Sequence, residues 1–270
     1  MTPSQAHAPQ PGADQSPAQD SPLLTLTLPG SGRAETVAVE MPVALTVNGI
    51  SQAVMLATPQ DLEDFALGFA LAEGWISHAD ELLDVEPLPR PGGLELALRV
   101  PASREQYLKA RRRQLAGRTG CGLCGLDSLA QLDAVQPGSV QRPTLAVDAL
   151  TRAAAALADA QPLNAQCGGL HAAAWCAPDG GLQLAREDVG RHNALDKLTG
   201  ALARQRLQGR DGFVLMSSRA SHELVHKAAM AGVGLLACTS APSSLAIASA
   251  QRYGLQLWAF VRGDRATRYA

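Results

Sequence analysis

The sequence predicts an α/β protein: a parallel or mostly parallel sheet with helices on its faces, preceded by a smaller β-rich portion. From Gly168 onward, short apolar runs alternate with helix-length segments, the order that places helices on the faces of a sheet. Between Leu23 and Leu56, four short runs are separated by Gly, Pro or Asn turns, as short strands are. A chain of 270 residues that is 46% hydrophobic can fill one large domain or two small ones.

Residues 1–22 contain no bulky apolar residue after Met1, so they cannot offset their ordering entropy and are expected to form a disordered tail. Strands are expected at 23–28, 36–40, 43–47 and 52–56. Thr58 and Pro59 then read as the N-cap and first position of a helix, with Asp61 in its first turn and Leu62, Phe65, Ala66, Phe69 and Ala70 at helical spacing. A strand at 94–100 and a basic helix capped by Ser103 close this portion, 23–116. Residues 117–125 hold four glycines in nine positions and are expected to be a mobile loop. The remainder, 126–270, is expected as the core. Its elements are a helix at 147–160, a hairpin at 171–176 and 182–186, helices at 191–207, 219–231 and 243–252, and strands at 213–216, 234–238 and 255–261.

A net charge of −2 gives no general affinity for polyanions, so nucleic acid is not an expected partner. The N-terminus has neither a basic start nor an apolar run, and no stretch approaches the roughly 18–20 apolar residues of a membrane span. Five cysteines are an odd number in a chain too long to need disulfide staples, which favours a reducing, cytoplasmic setting.

Cys121 and Cys124 form a Cys-x-x-Cys pair inside the glycine-rich loop. Structural zinc wants four ligands, and Cys167, Cys176 and Cys238 make no second pair at that spacing, although His171 could join Cys167. A thioredoxin-type dithiol belongs at a helix start after a strand, which is not the setting here. Lys109, Arg111, Arg112, Arg113 and Arg118 lie just upstream; such cations stabilise a thiolate or a persulfide anion. The plainer reading of these arginines is a solvated helix face. On balance the pair reads as a reactive centre for sulfur.

Three polar turns follow expected strands: 187–193, 217–221 and 239–244. Ligands of open α/β sheets gather at the carboxyl ends of strands, where helix N-termini favour phosphate. Arg191, His192, Ser217, Arg219 and Ser240 are the candidates there, although Ser and Thr are also ordinary N-caps. Arg262 and Arg265 flank Gly263, an arrangement suited to a diphosphate or nucleotide. No P-loop and no Gly-x-Gly-x-x-Gly occurs. His222-Glu223-Leu224-Val225-His226 matches the zinc-protease pattern His-Glu-x-x-His, but its helix reads as a sheet crossover, and both histidines are expected on the helix surface.

Several blocks of this sequence resemble the formate dehydrogenase accessory sulfurtransferase family (FdhD/NarQ). They are residues 118–125 around the two cysteines, 168–173, 187–197, 217–232, Ser240-Ala241-Pro242 and 260–265. The resemblance implies a cytidine deaminase-like three-layer core with a mixed, mostly parallel sheet, and a homodimer. It implies a sulfur carrier that accepts persulfide sulfur from a cysteine desulfurase. The sulfur then passes to a molybdenum (or tungsten) cofactor, Mo-bis(molybdopterin guanine dinucleotide), which is delivered to formate dehydrogenase. Cys121 then corresponds to the persulfide-bearing cysteine and Cys124 to its partner, while Phe260, Val261, Arg262, Gly263, Asp264 and Arg265 correspond to part of the cofactor site. No His-x-Glu and no Pro before Cys121 is present, so deamination is not implied. Cys167 stands where the family pattern has threonine, and Ser218 where it has glycine. The alternative is a non-catalytic cofactor chaperone or a zinc-stabilised binding module.

Overall fold

The computed structural model describes residues 21–115, 136–146 and 148–270, with side chains of 110–115 excepted. The expected 117–125 loop with Cys121 and Cys124 lies outside the described residues, as do residues 1–20 of the expected tail.

The first strands, β1 (Leu23–Thr27) and β2 (Ala34–Ala38), form an antiparallel pair. A four-stranded sheet follows in the order β4-β3-β6-β5, built from β3 (Met41–Val47), β4 (Ile50–Ala57), β5 (Asp84–Arg90) and β6 (Gly93–Arg99). Asn48 and Gly49, both at positive φ, turn β3 into β4, a conformation Asn and Gly tolerate best. Strand β5 was not expected from the sequence; it carries Pro87 and Pro89 and sits at the sheet edge, where missing N–H donors cost no ladder bond.

Helix α1 (Leu62–Ala72) packs Phe65 and Phe69 with Val43, Leu45, Leu96 and Leu98 from the inner face of this sheet. Its N-cap is Asp61, in a left-handed conformation at φ 53°, and not Thr58 as expected. Thr58 is wholly buried: its N–H donates to the Asp188 carboxylate (3.0 Å) and its hydroxyl accepts from Val189 N–H (3.2 Å). A long-range bond has taken over the side chain that a local cap would have used. Beyond β6, helix α2 (Ala102–Leu115) lies where the basic helix is expected, but it starts at Ala102, so Ser103 is its second residue and not its cap.

The second sheet has six strands in the order β12-β11-β10-β9-β7-β8: β7 (His171–Cys176), β8 (Leu182–Asp188), β9 (Phe213–Met216), β10 (Leu235–Cys238), β11 (Gln256–Arg262) and β12 (Arg265–Arg268). Only β9–β10 and β10–β11 pair in parallel; β8–β7, β7–β9 and β11–β12 are antiparallel. The sheet is therefore mixed and not mostly parallel as expected. Hairpins at both ends, one of them the missed β11–β12 turn, add antiparallel strands around a parallel centre.

Alternate residues of the sheet face opposite ways. Ala173, Trp175, Val214, Met216, Leu236 and Leu257 pack toward α5 (Arg191–Arg204), α6 (His222–Met230) and α7 (Ser244–Tyr253). Ala172, Ala174, Phe213, Leu215, Leu235 and Ala237 pack toward α3 (Ala149–Ala156). A short α4 (Asn164–Cys167) precedes β7.

Helices α1 and α5 join the two parts. They cross at Gly68 and Gly200: a Cβ on Gly68 would stand 2.7 Å from the Asp196 carbonyl carbon, and one on Gly200 the same distance from that of Asp64. Backbone meets backbone at this crossing, so helix α5 is buried from Asn193 to Leu202. None of the helices among the described residues is long and apolar enough to cross a membrane.

Candidate functional site

The carboxyl ends of β8, β9, β10 and β11 and the start of β7 form one continuous edge. His171 opens β7 opposite Asp188, the last residue of β8. Ser217 N–H donates to Ala172 O (2.9 Å), Thr239 N–H to Met216 O (3.0 Å), Ser240 N–H to Ser218 O (3.3 Å), and Phe260 N–H to Ser240 O (3.1 Å). These bonds bring Arg191, His192, Ser217, Arg219, Ser240 and the 260–265 turn, separate in sequence, to one side of the sheet.

At one end of the edge, the turn from β8 to α5 is built on buried charge. Lys197 Nζ lies 2.7 Å from the Asp188 carboxylate, both fully buried, and donates to Thr58 O (3.0 Å) and Glu187 O (3.2 Å). The other Asp188 oxygen accepts from Gly190 N–H (2.8 Å) and from the Asn193 amide (3.0 Å), which also donates to Leu56 O (2.7 Å). Glu187 accepts from the first N–H groups of α4, at Leu163 (2.9 Å) and Asn164 (2.8 Å). Most of the 187–197 block thus forms a scaffold, because ions this deeply buried must be paired and hydrogen-bonded. Its more accessible polar side chains are those of Arg191 and His192.

Helix α5 carries a second buried pair at Asp196, the residue next to Lys197. Lys227 of α6 donates to both Asp196 oxygens at 2.9 Å and lies 4.9 Å from the centre of the Phe69 ring. Burial pushes the Asp196 carboxyl up to about 7 against the opposing pull of Lys227, whose own pKa is raised by that carboxylate. Together with Arg186, which donates from two nitrogens to Asp64 of α1 (3.0 and 2.7 Å), these pairs tie α1, α5 and α6 into one body.

Arg191 is half-buried at the first position of α5, and its Nε is buried with no hydrogen-bond partner. His171 and His192 lie in its field. Burial, and after it the charge of Arg191, lowers the His171 pKa; the same two causes, with Lys227 and His171, bring His192 down to about 4. His192 Nε2 is 3.3 Å from both Ser221 Oγ and a Glu223 oxygen. Both imidazoles are therefore neutral near pH 7.

At the other end stands Phe260, at φ 52° beside a bulge in β11. A bulky residue in that region costs on the order of 1–3 kcal/mol and tends to occur at functional sites. Its ring lies beneath two guanidinium groups, that of Arg265 at 4.8 Å and that of Arg262 at 6.0 Å from the ring centre. Gly263, at φ 58°, has open space where a Cβ would point, and Asp264 and Arg265 beside it are exposed. Val261 points into the α3 core and is fully buried. Ser217 Oγ accepts from Ala172 N–H (2.8 Å), holding β7 against β9, while Arg219 is exposed and Ser240 half-buried. Ser221 and Ser243 are N-caps, accepting from Leu224 (3.4 Å) and Ala246 (3.2 Å), so part of each polar turn is capping.

His222 and His226 are half-buried on α6, hydrogen-bonded to Ser249 Oγ (2.7 Å) and Tyr253 OH (3.4 Å), rather than on the open helix surface as expected. Among the described residues, no group of three or more His, Cys, Asp or Glu side chains is placed to hold a metal. Cys176 and Cys238 are buried, and burial pushes their thiols up, that of Cys176 to about 12. Cys167, at the end of α4, is partly accessible.

The sequence profile of the FdhD/NarQ family matches residues 38–270. This chain belongs to that family. The FdhD/NarQ relatives include a sulfur carrier protein FdhD of Variovorax paradoxus, 54% identical over 228 residues, covering 84% of this chain and 82% of the relative. Another, from Chromobacterium violaceum, is 51% identical over 245 residues, covering 88% and 90%. A crystal structure of a candidate formate dehydrogenase accessory protein from Desulfotalea psychrophila superposes with a TM-score of 0.67 at 25% identity, over 92% of this chain and 94% of that one.

Reading the sequence alone missed His171 as a neighbour of Arg191, and missed the inward role of Asp196, Lys197 and Lys227. Helical spacing misleads there: Ala194, Leu195, Leu198, Ala201 and Leu202 share one face and put Asp196 and Lys197 on the opposite, polar one, which the crossing with α1 covers.

Proposed function

We propose that this FdhD/NarQ protein is a cytoplasmic sulfur carrier that sulfurates the bis(guanine dinucleotide) molybdenum cofactor for formate dehydrogenase. Family membership, with relatives near 50% identity named sulfur carriers, supports the carrier role. The observation in the fold that supports a large anionic cargo is the single edge gathering Arg191, His192, Arg219, Ser240 and the Phe260–Arg265 turn. Guanidinium forks bind diphosphate oxygens, and Arg262 and Arg265, held over the half-buried Phe260 ring, place two of them at the Gly263 turn. The strand order β8-β7-β9-β10-β11, with helices on both faces, fits a deaminase-like core.

The chemistry follows from the thiolate. Cys121 attacks the outer sulfur of a desulfurase persulfide; a new S–S bond forms, the old one breaks, and the desulfurase leaves as its thiolate. Release of that sulfur at the sulfide level requires two electrons. In this proposal Cys124 supplies them by attacking Cys121 Sγ, so that hydrosulfide departs to the metal of the cargo and a Cys121–Cys124 disulfide remains, which a dithiol reductant reopens. The homodimer and the desulfurase partner belong to the same proposal.

A strain carrying Cys121→Ala tests the biological half. It is expected to make formate dehydrogenase at the normal level but without activity. Normal activity in that strain would overturn the proposal.

A further inference from the structure

The edge contains one feature that a general cargo surface does not require. Arg191 holds a cationic side chain whose Nε–H, shielded from water, donates to nothing. A buried donor without an acceptor is costly, and its persistence marks a place where an acceptor arrives from outside. The two side chains that share its field, His171 and His192, come from different elements: the start of β7 and the first turn of α5. As neutral imidazoles each can offer one N–H.

The nearby acids do not supply the missing acceptor. Asp188 is filled by Lys197, Gly190 and Asn193, and Glu223 lies by His192 on the exposed side of α6. The seat also lies at the N-terminus of a 14-residue helix whose N-cap, Gly190, offers no side chain, so the positive end of the helix dipole adds to the charge of Arg191.

We infer that Arg191, with His171 and His192 beside it, is a dedicated seat for one phosphate group of the guanine dinucleotide cargo, separate from the Phe260–Arg265 turn. This inference rests on the cargo reading above and adds which part of the cargo lands where. Phosphate at Arg191 places the remainder of the nucleotide along the Ser217–Ser240 edge toward Phe260. His171 and His192 are positioning residues that shape the seat.

Calorimetry of the full-length protein with three probes (guanosine, GDP and inorganic pyrophosphate) tests this. The wild type is expected to bind GDP more tightly than guanosine, with pyrophosphate competing against GDP. Arg191→Ala should weaken GDP about 10- to 100-fold, the value of a charge-assisted hydrogen bond, and leave guanosine affinity unchanged. Arg191→Lys should recover only part of the loss, because a point charge lacks the guanidinium fork. His171→Gln should give a smaller loss confined to GDP and pyrophosphate. Thermal unfolding of each variant separates a lost seat from a lost fold. The seat is refuted if Arg191→Ala binds GDP as the wild type does, if it loses guanosine to the same extent, or if wild type binds GDP no better than guanosine. Binding of none of the three probes by wild type would instead bring down the cargo reading itself.

Discussion

Gly200→Ala sets two physical effects of opposite sign against each other. Alanine in a helix interior is favoured over glycine by about 1 kcal/mol, so α5 considered alone would be stabilised. The crossing with α1 predicts the reverse. The new Cβ would stand 2.7 Å from the Asp64 carbonyl carbon and 3.0 Å from its Cα, where carbon atoms prefer roughly 3.5–4.0 Å. The helices would have to part by about 1 Å. The obstacle is backbone and cannot rotate away, so the cost belongs at the upper end of the roughly 1–3 kcal/mol typical of overpacking. The net expectation is a loss of about 2 kcal/mol, or roughly 4–8 °C in Tm for a protein of this size. Gly68→Ala, whose Cβ would meet Asp196 carbonyl carbon at 2.7 Å, should behave alike, and the double variant should lose less than the sum, because one separation relieves both clashes. Urea and thermal unfolding measure this. An unchanged or raised Tm for Gly200→Ala would refute the crossing as the joint between the two parts.

Lys197→Met would leave the Asp188 carboxylate buried without its cation and should cost about 3–5 kcal/mol in urea unfolding. His192, with its pKa depressed to about 4, binds a proton more weakly folded than unfolded. Its contribution is present above about pH 6.5 and is lost as pH falls toward 4, by at most about 3 kcal/mol. Asp196, raised to about 7, acts with the opposite sign between about pH 4 and 7, so the difference between wild type and His192→Gln across that range is the quantity to measure; it should shrink on acidification. Brief alkylation of the native protein with iodoacetamide should label Cys167 and spare Cys176 and Cys238, whose buried thiols resist ionisation; peptide mapping reads the result.

Much of the core was legible in the sequence because its elements are strongly punctuated. The β7–β8 hairpin announces itself through Pro178-Asp179-Gly180-Gly181 between two apolar runs, and Phe213–Met216 appears where a four-residue apolar run predicts it. Strand direction was less legible: a run such as Arg265–Arg268 carries no apolar alternation, and its pairing with β11 depends on a hairpin at Gly263. Thr58 illustrates another limit, since a residue with perfect local capping credentials was claimed by Asp188, 130 positions away. At the site, the sequence identified Arg191, His192, Ser217, Arg219, Ser240 and the 260–265 turn as polar groups at strand ends. It could not separate Glu187, Asp188, Asn193 and Lys197 as scaffold from Arg191 as the member left with an unfilled donor. That distinction is one of burial and partner geometry, which neighbouring letters do not encode.

The most direct test of the account uses mass spectrometry of the purified protein after incubation with a cysteine desulfurase and cysteine. The account predicts one added sulfur atom on Cys121, lost on reduction, absent in Cys121→Ala and longer-lived in Cys124→Ser. A protein that stays unmodified at Cys121 while the desulfurase turns over, or that carries the sulfur on Cys167 instead, would contradict it.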